Sequence, residues 1–204
     1  MLYNEFMGKI TSIESQTKGD RLNIFVDGEF KLGVCYEVAF AKGLREGKFL
    51  TDEDIAELKA EDQSKKAFDC ALKYAVKKTV SKKQLSDYLV RKGFTIDEAT
   101  AAIKKAEQYG YADDLKYAKA YVSTYGAVRG KIRLENELKR AGINSDDIAA
   151  AMELSSANAC ADAVAKYMRT HKQADKKKLY GYLCYRGFDY DEINDALRSV
   201  FNED

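Results

Sequence analysis

Leu85-Ser86-Asp87-Tyr88-Leu89-Val90-Arg91-Lys92-Gly93-Phe94-Thr95-Ile96-Asp97-Glu98-Ala99 is one copy of a pattern that occurs three times in this chain. It aligns with Leu134-Glu135-Asn136-Glu137-Leu138-Lys139-Arg140-Ala141-Gly142-Ile143-Asn144-Ser145-Asp146-Asp147-Ile148. Leu179-Tyr180-Gly181-Tyr182-Leu183-Cys184-Tyr185-Arg186-Gly187-Phe188-Asp189-Tyr190-Asp191-Glu192-Ile193 is the third, and the copies start 49 and 45 residues apart. Leucines at i and i+4 lie on one face of a helix, and a glycine four residues later suits the left-handed conformation that ends it. The Phe or Ile that follows can fold back on the last turn. Thr95, Asn144 and Asp189 then read as N-caps with acids in the first turn, and Ile103, Met152 and Leu197 continue the apolar face of a second helix.

Upstream of each leucine pair lies a further amphipathic stretch: Ala67, Phe68, Ala71, Leu72 and Ala75; Tyr117, Ala118, Tyr121 and Val122; Ala159, Ala163, Val164 and Tyr167. Each unit is therefore a three-helix module. A module of about 45 residues buries little core alone, so the expectation is a row in which neighbours bury it together, as in solenoid arrays. The fold class is mainly α, three tandem three-helix repeats in a curved elongated array after a small β-rich N-terminal segment. The expected divisions are a head with the start of a linker helix over 1–60, then repeats over 61–109, 110–155 and 156–204.

The head has a different texture. Leu22, Ile24 and Val26, then Phe30, Leu32 and Val34, alternate as strands do, and Asp27-Gly28 between them is a hairpin turn. Ile10–Ile13 is a third strand, Lys18-Gly19-Asp20 a second turn, and Tyr36–Ala41 a short helix. At Thr51-Asp52-Glu53-Asp54 a capping box opens a charged helix through Ile55 and Leu58.

Composition narrows the function classes. The chain has 204 residues, 46% of them hydrophobic and 33% charged, which is too apolar for wholesale disorder. Lysine and arginine total 34 against 33 acids, so bulk charge steers nothing toward nucleic acid. The longest stretch without charge, Ala120–Val128, is nine residues against the roughly 20 of a membrane span, and the N-terminus lacks a signal pattern. We read a cytoplasmic protein in a reducing compartment with no membrane contact. Cys35, Cys70, Cys160 and Cys184 are far apart and His171 is the one histidine, so neither a metal nor another cofactor is expected. Cys70, Cys160 and Cys184 fall beside apolar positions and read as small core or boundary residues.

Catalytic readings fall away in turn. Gly43-x3-Gly47-Lys48 and Gly126-x3-Gly130-Lys131 are each one residue short of a phosphate loop and lack the following Ser or Thr. A triad would have to use His171, which sits in the polar run Arg169-Thr170-His171-Lys172-Gln173 expected at a loop or helix end. Asp113-Asp114 and Asp146-Asp147 read as helix caps. The chain is not expected to be an enzyme.

The basic residues carry the functional question. Arg91, Lys92, Lys139, Arg140 and Arg186 precede the repeat glycines, where cations suit a helix C-terminus; dipole complement and partner contact both stay open there. Lys82 and Lys83, Arg129, Lys131 and Arg133, and Lys176 and Lys177 crowd the start of each repeat's second helix, where the dipole opposes them. With no local gain visible, they point to phosphate or an acidic protein surface, with simple solvated charge as the alternative. Tyr88, Tyr125, Tyr182 and Tyr185 nearby offer rings for stacking or for packing at an interface, and some of them are expected in the core.

The repeat, the Gly110-Tyr111-Ala112-Asp113-Asp114 junction, and Arg129-Gly130-Lys131-Ile132-Arg133-Leu134-Glu135-Asn136-Glu137-Leu138 before Ala141-Gly142-Ile143 resemble the RecX family, bacterial regulators of the RecA recombinase. The resemblance covers roughly 61–200. It implies a curved chain of repeats lying in the groove of the RecA filament on single-stranded DNA and inhibiting recombinase and coprotease activity in DNA repair. RecA is the implied partner, direct contact with the strand stays open, and a monomer is expected. The alternative is a helical array that binds nucleic acid with no recombinase partner, and a third reading is a generic interaction scaffold.

Overall fold

The computed structural model describes residues 7–17, 19–156, 158–171 and 175–201. Strands β1 (Met7–Ser15), β2 (Arg21–Val26), β3 (Glu29–Cys35) and β4 (Phe49–Thr51) form one antiparallel sheet in the order β3-β2-β1-β4. Asp27 and Gly28 both take positive φ, 51° and 84°, which matches the hairpin twist of a two-residue turn. The short helix α1 (Tyr36–Ala41) stands where it is expected, whereas β4 was not legible. Three residues carry no period, and β4 is defined by pairing Met7, Gly8 and Lys9 with Thr51, Leu50 and Phe49. Lys18 of the expected Lys18-Gly19-Asp20 turn lies outside the described residues, as do Lys172 and Gln173 beside His171.

The Thr51 capping box is present: Thr51 Oγ1 accepts from Asp54 N at 3.0 Å, and Asp54 Oδ2 accepts from Thr51 N at 2.8 Å. The helix it opens, α2 (Asp52–Ala75), runs 24 residues without a break. The division placed at residue 60 therefore falls inside a helix. At about 1.5 Å per residue it spans some 36 Å, so its first turns close the head core through Ile55 and Leu58 and its last turns enter the first repeat through Ala67 and Ala71. Between them Asp62, buried, accepts two hydrogen bonds from Arg21 at 2.9 and 3.1 Å and one from Cys35 N at 2.8 Å, and pairs with Lys66 at 2.8 Å. Burial pushes its carboxyl up, but Arg21, Lys66 and the Cys35 amide outweigh it and hold Asp62 below the usual carboxylate value.

The repeats are α2 with α3 (Lys82–Arg91) and α4 (Ile96–Gln108); α5 (Asp114–Tyr125), α6 (Lys131–Arg140) and α7 (Ser145–Met152); and α8 (Ala159–Thr170), α9 (Lys176–Arg186) and α10 (Tyr190–Phe201). All six repeat leucines, Leu85, Leu89, Leu134, Leu138, Leu179 and Leu183, are fully buried. After each second helix the glycine is left-handed, with φ of 93°, 84° and 83° at Gly93, Gly142 and Gly187. The next residue's N–H then closes back on the helix: Phe94 to Leu89 O, Ile143 to Leu138 O and Phe188 to Leu183 O at 3.1–3.3 Å, a Schellman closure. Thr95, Asn144 and Asp189 cap the third helices through Glu98, Asp147 and Glu192.

The expectation that neighbouring repeats share a core fails. Among the described residues apolar burial is divided into four separate clusters, one in the head and one in each repeat. Three amphipathic helices, with alanines letting them approach closely, close each module on itself. What joins the modules is polar. No helix among the described residues is long and apolar enough to cross a membrane.

Candidate functional site

The second helices of successive repeats meet end to end, N-terminus against C-terminus. At the first joint Ser81, the N-cap of α3, accepts from Gln84 N at 3.2 Å and donates its hydroxyl to Ala141 O of α6's C-cap at 2.6 Å. Lys82 N donates to Asp114 Oδ1 at 2.8 Å, and Gln84 Nε2 to Tyr117 Oη at 3.0 Å. At the second joint Gly130 N donates to Arg186 O at 2.9 Å and Ile132 N to Gly187 O at 3.2 Å. A Cβ on Gly130 would lie 2.2 Å from the Gly187 backbone, so only glycine allows this approach. At the second joint orphan N–H groups of one helix are thus satisfied by orphan carbonyls of the next, whereas the first is made through the Ser81, Asp114 and Gln84 side chains.

This geometry gives two of the helix-start cations, Arg129 and Arg133, local partners that the sequence reading lacked. Arg133 Nη1 donates to Tyr185 O, in the last turn of α9, at 3.1 Å, and its guanidinium lies 5.1 Å from the Tyr185 ring centroid. A cation that opposes its own helix dipole here faces the negative end of the next repeat's helix. Arg129 and Arg133 also converge on Glu137. Arg129 Nη1 donates to Glu137 Oε2 at 2.7 Å, Arg133 Nε to Oε1 at 3.0 Å, and Tyr121 Oη to Oε2 at 2.9 Å. Arg129 also sits 3.9 Å from the Tyr125 centroid. Burial raises the Glu137 carboxyl, and Arg133, Tyr121 and Arg129 more than reverse that, leaving it below its usual value. These two arginines have local work, and their reversal would damage the fold.

The remaining candidates divide by how they are held. Lys82 is paired with Glu107, and Arg186 donates to Val128 O at 2.9 Å with its guanidinium 5.0 Å from the Tyr182 centroid. Lys83 makes an exposed i,i+4 pair with Asp87, Arg91 Nε donates to Asp87 O, and Lys92 lies 5.6 Å from the Tyr88 centroid. Lys176 is engaged as well. Lys131, Lys139, Arg140 and Lys177 are exposed and have no ion-pair partner among the described residues. The structure thus brings Arg129 and Arg133 together with Tyr121 and Tyr125 and leaves the unpaired cations spread along α6 and the start of α9.

Of two residues central to the joints, the sequence reads Asp114 as a cap of its own helix and does not single out Glu137. Asp114 caps α3 of the preceding repeat, while Asp113 Oδ1 accepts from Lys116 N at 2.9 Å within its own helix. Glu137 stands where the other copies carry Tyr88 and Tyr182, and that mismatch in the alignment is the signal that marked it. Tyr88 stacks on Tyr74 at 3.9 Å, Tyr182 packs on Tyr167 at 4.9 Å, and Tyr185 is 76% exposed. Cys160 is buried, with burial pushing its thiol up to about 11; Cys70 is half-buried, but Cys184 is exposed, contrary to the boundary reading. The Gly43–Lys48 segment is a turn in which Gly47 N donates to Ile10 O and Lys48 O accepts from Ile10 N. No group of three metal-ligating side chains occurs among the described residues.

Comparison with known proteins adds the following. Residues 8–51 match the regulatory protein RecX N-terminal domain, 113–152 the second RecX three-helix domain and 156–197 the third. The regulatory protein RecX of Clostridium perfringens (strain 13 / Type A) is 31% identical over 209 residues, covering 97% of this chain and 99% of that one. That of Leuconostoc mesenteroides is 32% identical over 208 residues, covering 97% and 78%. A crystal structure of a regulatory protein RecX superposes with TM-score 0.75 at 23% identity over 97% of this chain and 100% of that one. The crystal structure of RecX from Lactobacillus salivarius gives 0.61 at 20% identity over 70% and 99%.

Proposed function

Because the chain belongs to the RecX family of regulatory proteins, we propose that it binds the filament of the RecA recombinase on single-stranded DNA and restrains recombination and coprotease activity. It does so as a cytoplasmic monomer and without catalysis of its own. The observation that carries this reading is the line of second helices. α3, α6 and α9 are each 10 or 11 residues long, about 15 Å apiece, and meet end to end in a surface suited to a repeating partner. Along it Lys131, Lys139, Arg140 and Lys177 project with no internal anion among the described residues. Charges left outside the internal pairs are the ones available for a phosphate or an acidic protein surface.

The test is co-sedimentation with recombinase filaments on single-stranded DNA, together with recombinase ATP hydrolysis and strand exchange. The chain should pellet with filaments and slow both activities. If it stays in the supernatant at low salt, the reading is overturned. Equal retention by the strand with recombinase omitted would move the assignment to autonomous nucleic-acid binding.

A further inference from the structure

A cleft of about 280 Å³ opens beside the second joint, between the segment that links α5 to α6 and the α8–α9 face of the third repeat. Val128, Asp162, Lys166, Arg169, Tyr182 and Arg186 are among its walls, three cations against one anion. Lys166 and Arg169 lie one turn apart on α8, are exposed, and make no ion pair or side-chain hydrogen bond among the described residues. Asp162, four residues before Lys166, does not pair with it. Arg186 is held in place, its Nη1 on Val128 O at 2.9 Å and its guanidinium 5.0 Å from the Tyr182 centroid. The ring of Tyr182 belongs to a short aromatic row: it packs on Tyr167 at 4.9 Å, and Tyr167 stacks on His171 at 4.0 Å and 7°.

We propose that this cleft receives one nucleotide unit of a single strand, its base against Tyr182 and its phosphate between Lys166 and Arg169. A partly exposed ring beside unpaired cations matches both halves of a nucleotide, the π-face of the base and the charge of the phosphate. A carboxylate or bare anion would use the cations and leave the ring idle. The volume is close to the lower end of small-ligand pockets, about 300 Å³, so the cleft holds one unit and the strand continues past it. The proposal rests on the filament reading for the identity of the strand. Its chemistry, a phosphate with an attached base, is shared by a nucleic-acid strand and a free nucleotide.

The experiment measures fluorescence anisotropy of a labelled oligothymidylate with the full chain and no recombinase present. Wild type should bind at low salt, and Lys166→Ala with Arg169→Ala should weaken binding tenfold or more. The slope of log K against log salt should fall by about 0.7, the value for one phosphate contact on a single strand. Lys104→Ala with Lys119→Ala removes the same charge elsewhere on the surface and should change binding less than twofold. Tyr182→Leu should weaken binding several-fold, and a thermal melt within 2 °C of wild type shows that the fold is kept. Wild type that ignores the oligonucleotide, or a cleft variant that binds like the control, overturns the proposal. Thymidine monophosphate competing as well as the oligonucleotide, at equal phosphate concentration, overturns the strand and leaves a mononucleotide site. Filament co-sedimentation is scored separately: a chain that binds the oligonucleotide through the cleft and ignores the filament refutes the filament reading alone.

Discussion

Gly130→Ala isolates the second joint. Gly130 has φ −73° and ψ 161°, a conformation any residue adopts, so alanine there causes no backbone strain of its own. What it introduces is a Cβ 2.2 Å from Gly187 C and O and Phe188 N, which are backbone atoms that cannot swing aside. Relieving that overlap means either local overpacking, about 1–3 kcal/mol, or separating the ends. Separation loses the hydrogen bonds from Gly130 N to Arg186 O and from Ile132 N to Gly187 O, about 1 kcal/mol each. The two routes set an expected cost of about 1–3 kcal/mol. Because the second and third repeats have separate cores, the loss should concentrate at the joint. Native-state hydrogen exchange should show α9 and α10 amides losing protection while those of β2 and α2 keep theirs. Gly181→Ala is the comparison: Gly181 lies inside α9, and a Cβ added there would meet nothing within 4 Å, so alanine should stabilise by about 0.5–1 kcal/mol. If urea unfolding places Gly130→Ala within about 0.5 kcal/mol of wild type, the end-to-end joint is wrong.

Arg129→Glu with Arg133→Glu should cost about 2–4 kcal/mol in urea unfolding, since it leaves Glu137, with a side chain 20% exposed, facing two further acids; an unchanged melt would refute the Glu137 hub. Neutralising the unpaired cations, Lys131→Gln with Lys139→Gln, should shift stability by less than about 1 kcal/mol yet weaken filament binding in co-sedimentation; loss of fold, or binding equal to wild type, counts against that surface. The Asp62 carboxyl is held below its unfolded value, about 3.9, so its stabilisation is complete above about pH 5 and is lost as pH falls through the folded value. Asp62→Asn should therefore flatten the acid limb of stability against pH, and a limb of unchanged steepness would remove Asp62 as its source.

Local chemistry was enough for most of the architecture. A leucine pair, a left-handed glycine and an N-cap are read within 15 residues of one another, and each depends on contacts inside one helix or between helices adjacent in the chain. The hairpin at Asp27-Gly28 and the box at Thr51 belong to the same class. The strand β4 escaped because its pairing, not its composition, makes it a strand.

The joints are where the chain alone fell silent. Glu137, eight residues from Arg129 and four from Arg133, was within reach of the sequence and passed over; the rest of the joint was not, since Tyr185 O lies 52 residues beyond Arg133 and Ser81 reaches across 60 residues to Ala141. The same holds for Asp114, which looked like a cap for its own helix and serves Lys82 N of the preceding repeat. A helix dipole is visible in sequence only as an end that favours one sign of charge. Which neighbouring end faces it is set by how whole repeats are placed, and a cation that opposes one dipole can complete another. The sequence by itself therefore determined the modules, because their contacts are short in chain separation. Only the tertiary structure decided that each module closes its own core, that hydrogen bonds between helix ends join the modules, and which cations have internal partners.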